Sequence, residues 1–282
     1  MRRYIYFVFL LCCAVNLLLT SCVRQKYVVM DMVHHNPGEA MTESKFLDPS
    51  FLKKNEYGAK VFFLFEAAQF GIDWKSFDPS LFPDTTEAGR WVAEKAEIIH
   101  KKYDAAKKED LQVYCMLDML VLPSLLVEKH RTELTNEQGK LDISKPYTQL
   151  CIRELMKEMF ETFPQLDGLV IRTGETYLHD APYYVGNHPV QNGMYDHITL
   201  INLLREEVCE RRNKKLFYRT WDMGQLHSIP KYYLSVTDSI EPHPNLYFSI
   251  KHTMTDFWRS AITDPDMNYN TCLLYTSDAA DE

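Results

Sequence analysis

Short continuous apolar runs alternate along this chain with longer stretches whose apolar residues recur at three- and four-residue spacing. Six runs are rich in β-branched and aromatic residues: Tyr27 to Val33, Ala59 to Phe65, Leu111 to Leu117, Gly168 to Ile171, Lys215 to Arg219 and Leu246 to Ile250. Each leads into polar or turn-forming residues. These are His34-His35-Asn36-Pro37-Gly38-Glu39, Glu66, Asp118, Arg172-Thr173-Gly174-Glu175, Trp221-Asp222 and Lys251-His252. The intervening stretches read as helices. Asp48-Pro49 opens one over roughly Ser50 to Glu56. Thr85 or Thr86 caps another that runs to about Ala106, with Trp91, Ala93, Ile98 and Ile99 as its buried side. Pro146 starts a third, to about Phe163, with Leu150, Leu155, Met159 and Phe160 at helical spacing. Tyr195 to Arg212 forms the next.

Strands that alternate with helices build parallel βα units. Strands that are apolar throughout are buried on both faces. Two architectures meet both conditions, an open doubly wound sheet and a (β/α)8 TIM barrel. No Gly-x-Gly-x-x-Gly follows the first strand, which disfavours the dinucleotide-binding version of the open sheet. Polar residues end all six strands, as expected of a barrel whose site lies at its C-terminal face. A complete barrel takes about 250 residues or more. The expected fold is therefore α/β, an incomplete TIM barrel of about six βα units. There is no internal repeat and no low-complexity linker.

Both ends read as something other than barrel. Arg2 and Arg3 precede an apolar run from Tyr4 to Leu19, and Leu19-Thr20-Ser21-Cys22 resembles a bacterial lipobox. The run is short of the roughly 20 residues of a membrane span. Residues 1–21 are expected to be a removed lipoprotein signal peptide, with an uncleaved anchor as the alternative. Lipid on Cys22 would tether a soluble body to the cell envelope, in the periplasm or at the outer-membrane surface. Cys272 to Glu282 reads back as a DNA sequence resembling the transposase adapter used to prepare sequencing libraries, with a genuine polar C-terminal tail as the alternative, so 272–282 is set aside as adapter-derived. The barrel domain is then 22–271. Its seventh and eighth strands are expected to lie beyond Thr271, and such a piece need not be active by itself.

The formal net charge of −8 argues against a nucleic-acid partner, which calls for a basic footprint. Outside the two ends only Cys115, Cys151 and Cys209 remain. Their number and spacing suit neither a disulfide framework nor a metal site, and they are expected to be buried free thiols. There is no Gly-x-Ser-x-Gly elbow, phosphate loop or His-Glu-x-x-His. His34 and His35 are adjacent on a strand and point to opposite faces. No metal and no cofactor is expected.

The sharpest local feature is Asp167 to Tyr177, where a buried strand runs straight into Arg172, Gly174, Glu175 and Tyr177. Gly174 permits a sharp turn or a close approach to a ligand. Glu175 at the mouth of a barrel can serve as a general acid once its surroundings raise its pKa. Arg172 can hold an acidic sugar's carboxylate through paired hydrogen bonds, or can pair with Glu175. Glycoside hydrolysis normally needs a second carboxyl group. By strand-end position Asp222, Asp118 and Glu66 are candidates, with Asp222 preferred because Trp221 beside it offers a wall for a sugar. His35, Asn36, Lys251 and His252 can hydrogen-bond hydroxyls. The loop holding Tyr177, His179, Asp180, Tyr183, Tyr184 and His188 either shapes a pocket or is simply solvated.

Val33 to Glu39, Asp167 to Tyr177 and Tyr218-Arg219-Thr220-Trp221-Asp222 together resemble the catalytic barrels of bacterial glycoside hydrolases. Lipoproteins of gut polysaccharide degraders, and alpha-glucuronidase-like barrels in particular, are the nearest comparison. The likeness spans Asp31 to Asp222. It differs from the largest clan of retaining barrels, which usually carries Asn-Glu where this chain has Gly174-Glu175. The resemblance implies a glycoside hydrolase acting on polysaccharide or oligosaccharide fragments, with Glu175 as proton donor. The expectation is thus an exported, lipid-anchored glycoside hydrolase with a carbohydrate substrate. The alternatives are a surface lipoprotein that binds glycans without cleaving them and, more weakly supported, a deacetylase.

Overall fold

The structure, a computed structural model, describes residues 28–31, 44–63, 66–174, 176, 178, 180–219, 226, 229–251 and 273–276. Its main sheet contains β1 (Met30–Asp31), β2 (Ala59–Phe62), β3 (Gln112–Asp118), β5 (Gly168–Arg172), β7 (Lys215–Arg219), β8 (Leu246–Lys251) and β9 (Leu273–Thr276). All pairs in this sheet are parallel, and each strand lies beside the one that precedes it in the sheet's sequence order. A doubly wound sheet reverses its strand order at a switch point, and this one does not. Sequential parallel order is that of a (β/α)8 barrel. Among the described strands β1 and β9 do not pair, so the barrel is incomplete. A separate antiparallel pair, β4 (Val121–Pro123) with β6 (Tyr184–Gly186), was not foreseen from the sequence.

Six of the seven main strands coincide with the apolar runs. The seventh falls in the segment that the sequence analysis sets aside as adapter-derived. Leu273-Leu274-Tyr275-Thr276 is apolar and β-prone, and β8 would otherwise present an open row of backbone donors and acceptors. A short run of this kind from any origin can satisfy that edge. The pairing therefore reflects the edge and carries no information on the segment's source.

The helices begin where their caps allow. In α1 (Pro49–Lys54) the Asp48 carboxylate accepts the Ser50 N–H at 2.9 Å. In α2 (Glu87–Lys108) the Thr86 hydroxyl accepts the Gly89 N–H at 3.0 Å, as expected of an N-cap. The buried stripe of α2 is Val92, Ile99, Tyr103 and Ala106, whereas Ala93 and Ile98, expected inside, are exposed. Two short helices, α3 (Ser124–Lys129) and α4 (Arg131–Leu134), precede α5 (Pro146–Thr162). The last buries Cys151, Leu155 and Met159 and leaves Leu150, expected inside, exposed. Helix α6 (Met194–Leu204) continues into a π-helical turn, Arg205–Glu210, and α7 (Pro230–Thr237) follows β7.

Alternation along the strands divides the apolar residues into two cores. Ala59, Val61, Tyr114, Met116, Val170 and Phe217 pack together inside the barrel, joined by Met30, Phe63 and Tyr247. Phe217 stacks on Tyr247 at 4.9 Å and meets Tyr114 edge-on at 5.3 Å. Their neighbours in sequence, among them Val113, Cys115, Leu117, Leu169, Ile171 and Leu216, belong to the outer core shared with the helices. At the N-terminal end of the strands, Asp167 accepts the Val113 N–H at 2.7 Å and pairs with Lys107 of α2. That fixes β5 against β3 from below.

Gly168 shows how tightly the barrel closes. A Cβ at this position would stand 2.1 Å from the Lys215 carbonyl oxygen and 3.0 Å from the Tyr114 ring. Gly168→Ala should lower stability in urea by about 1–3 kcal/mol. Leu150→Ala, on the exposed face of α5, should change it by less than about 0.5 kcal/mol. Burial pushes the thiols of Cys115, Cys151 and Cys209 up to about 12, so almost none is thiolate near neutrality. Mass mapping after iodoacetamide at pH 8 should find these three unmodified in the folded protein and alkylated in urea.

Candidate functional site

Two charged residues end the inward-facing rows of adjacent strands. Asp118 closes the row Tyr114–Met116–Asp118 on β3, and Arg172 follows Val170 on β5. The strands' register sets the two directly beside each other. Arg172 grips the Asp118 carboxylate with both arms, Nε to Oδ1 at 2.5 Å and Nη2 to Oδ2 at 2.7 Å. Their side chains are only 12% and 8% exposed. A bidentate, charge-assisted pair of this kind is strong and fixed in direction. It rests on the apolar floor formed by the inner core. Beside that floor, the Arg219 guanidinium of β7 lies 3.9 Å from the Met116 sulfur.

A small hollow, with room for little more than one water molecule, lies at this end of the barrel. Phe63, Ala67, Phe70 and Met116 supply apolar walls, while Gln69, Asp118 and Arg172 supply polar ones. Gln69 belongs to the 3-10 turn Ala68–Gly71 that follows β2. That turn is anchored from several sides. The Ala68 N–H reaches the Cys115 sulfur at 3.1 Å, and the Tyr184 hydroxyl donates to the Gln69 carbonyl at 3.4 Å. Phe70 packs edge-on against Trp91 and Tyr184.

The β4–β6 pair holds the rim. Leu120 and Asn187 exchange backbone hydrogen bonds at 2.7 and 3.0 Å, extending the pair toward Asp118. The Asn187 side chain clamps both backbone groups of Leu141, at 2.7 and 3.0 Å. Next to it His188 accepts the Gly174 N–H on Nδ1 at 2.9 Å. Gly174 has φ 108°, a conformation costly for any residue with a Cβ. The chain thus leaves β5 through buried Thr173 and a turn that only glycine adopts readily.

Of the residues singled out from the sequence, the structure brings Asp118 and Arg172 together at the hollow. Arg172 gives its Nε–Nη2 edge to Asp118. Glu66 does not line the hollow. It pairs with Lys102 of α2, and its carbonyl accepts the Tyr103 hydroxyl at 2.9 Å, so it ties the end of β2 to the outer helix. In the loop after Glu175, Tyr184 is buried behind the hollow and His188 supports Gly174, whereas Asp180 is exposed. Glu175, Tyr177, Trp221, Asp222, His35, Asn36, His252 and Cys22 lie outside the described residues, as does the side chain of Lys251. Gln69 was missed. Its one signal was a polar residue inside Ala67-Ala68-Gln69-Phe70-Gly71. Among the described residues no group of His, Cys, Asp or Glu is arranged to hold a metal ion, and no helix is long and apolar enough to cross a membrane.

No protein-family profile and no curated protein matches the chain. Solved structures resemble it, and they include glycoside hydrolases. One is a GH138 enzyme targeting pectin rhamnogalacturonan II, at 15% identity and TM-score 0.42, covering 80% of this chain and 25% of that one. Another is Dispersin B, at 13% identity and TM-score 0.42, covering 80% and 64%. A glycoside hydrolase family 5 enzyme from Prevotella bryantii B14 aligns at 9% identity and TM-score 0.42, covering 80% and 63%. The chain spans less than two thirds of each of these structures.

The Asp118–Arg172 pair predicts a strong coupling. Removing one partner takes the bidentate bond from a poorly hydrated charge, so Arg172→Met and Asp118→Leu should each cost about 3 kcal/mol in urea unfolding. The double variant should recover more than half of the summed loss. Simple additivity of the two single effects would show that the pair is not coupled.

Proposed function

We propose that this chain carries the barrel of an exported, lipid-anchored glycoside hydrolase acting on polysaccharide or oligosaccharide fragments. Glu175 is the general acid in this reading. The observation that carries it is the course of β5. A strand of the inner barrel ends in Arg172 at the polar hollow, and the sequence passes through the Gly174 turn directly into Glu175. Catalytic groups of barrel enzymes sit at this end of the strands, and a carboxylic acid there meets the first requirement of glycosidic cleavage. Asp222, which follows β7 beside Trp221, is the proposed second carboxylate. Asp118 is less suited to attack a sugar, because both its oxygens are engaged by Arg172. The alpha-glucuronidase-like resemblance belongs to this proposal, as do export through residues 1–21, lipidation of Cys22 and the adapter origin of 272–282.

In the proposed mechanism the protonated Glu175 donates to the leaving oxygen as positive charge builds on the sugar ring. Asp222 stabilises that charge or activates the entering group. The Asp118–Arg172 pair contributes rigidity at the mouth, so that the groups around it keep their geometry through the reaction.

The test uses the product of the uninterrupted gene. Glu175→Gln keeps the shape of the side chain and removes the transferable proton, and should cut hydrolysis of aryl glycosides at least about 100-fold with an unchanged melting curve. Full retained activity would remove Glu175 from the reaction. Sugar binding by the parent protein with no turnover would instead favour the glycan-binding alternative.

A further inference from the structure

Glu175, the proposed proton donor, follows Gly174 and precedes Thr176, and both neighbours meet one short piece of the rim, Gly186-Asn187-His188. On one side the Gly174 N–H donates to Nδ1 of His188 at 2.9 Å. On the other, the Thr176 methyl lies against Gly186. A Cβ added to Gly186 would stand 3.1 Å from that methyl and 2.5 Å from the Leu120 carbonyl oxygen, so a side chain here would force these groups apart. The rim piece is itself fixed. Asn187 bonds Leu120 through its backbone and Leu141 through its side chain. The His188 carbonyl accepts from the Asn187 and Gln191 side chains at 2.9 and 2.6 Å. Asp196, only 2% exposed, holds the Gln191 and Asn192 N–H groups at 2.6 Å each.

We infer that Gly186-Asn187-His188 is a cradle that positions Glu175, with His188 as the positioning residue through the Gly174 N–H. This inference rests on the reading of Glu175 as the general acid and adds how that acid is held in place. To accept the Gly174 N–H, Nδ1 must be unprotonated, so the His188 ring is the neutral tautomer with its proton on Nε2. Gly174 has φ 108°, and the freedom that lets glycine take such a turn also lets it leave. The bond from His188 removes that freedom before residue 175, and the contact of Thr176 with Gly186 removes it after. The gain is one of geometry, because a reacting group misplaced by about 1 Å can lose about 100-fold in rate. His188 acts in this role through the backbone and takes no part in proton transfer.

The experiment compares His188→Asn with His188→Gln in the product of the uninterrupted gene, assayed on aryl glycosides. Asn carries its carboxamide oxygen the same number of bonds from Cα as Nδ1, whereas Gln carries it one bond farther. Both substitutes are polar and suit the half-buried position. His188→Asn should hold kcat within about 3-fold of the parent, and His188→Gln should lower it about 10-fold or more, with KM changed less than about 2-fold in both. Hydrogen exchange at the Gly174 amide should be slow in the parent and in His188→Asn, and faster in His188→Gln. Thr176→Gly, which removes the contact on Gly186, should lower kcat by about 10-fold and decides the matter if His188→Gln does not fold. A merely structural role would lower kcat and melting temperature alike in both His188 variants. Such an equal loss, an unchanged kcat in His188→Gln or Thr176→Gly, a change confined to KM, or Gly174 exchange indifferent to residue 188 would each overturn the inference. Activity lost in Glu175→Gln with kcat indifferent to residue 188 would sink the cradle alone. Full activity in Glu175→Gln with Gly174 exchange following residue 188 would remove the acid assignment and leave the cradle as a support of the turn.

Discussion

The register between β3 and β5 governs the rest of the candidate site. Parallel pairing that sets Asp118 against Arg172 also sets Tyr114, Met116 and Val170 inside the barrel and sends Cys115, Leu117 and Ile171 to the helices. A slip of one residue on either strand would reverse that division and face a charge toward the outer core. The ion pair therefore does more than join two side chains. It is compatible with one alignment only, and Asp167 at the other end of β5 pins the same alignment through the Val113 N–H. Between these two fixed points the strand has little freedom in where it delivers the chain at its C-terminal end.

The rim beyond that end is built from pieces that are far apart in sequence. The β4–β6 pair joins the segment after β3 to the segment after β5, and Asn187 and His188 then reach Leu141 and Gly174. The hollow draws its walls from three such places: the end of β2 with its 3-10 turn, the end of β3 and the end of β5. No one of these segments encloses anything alone. Their convergence at one end of the strands is the property of sequential parallel order on which the functional proposal relies.

The strands were legible because burial on both faces writes a continuous apolar run, and the polar residue closing each run marked where it stops. Thr86 was legible as a cap for an equally local reason. The inward and outward sides of the helices were harder to read. Ile98 and Leu150 fit an apolar spacing, yet each stands outside, because the stripes that pack are Val92, Ile99 and Tyr103 on α2 and Cys151, Leu155 and Met159 on α5. The rim pair was invisible, since Val121-Leu122-Pro123 and Tyr184-Val185-Gly186 are too short to show a period. Asp118 and Arg172 were found individually as strand ends, but their union needed the register. Gln69 escaped because a buried polar side chain resembles a loop residue until its surroundings are known.

The closure of Asp118 on Arg172 has an electrostatic side. With their charges cancelled across two hydrogen bonds, the pair itself casts little field beyond its surroundings. Dissolved salt screens exposed charges far more than poorly hydrated ones, so this contact should vary little with ionic strength. The net charge of −8 carried by the chain would act mainly on larger charged molecules approaching from solution.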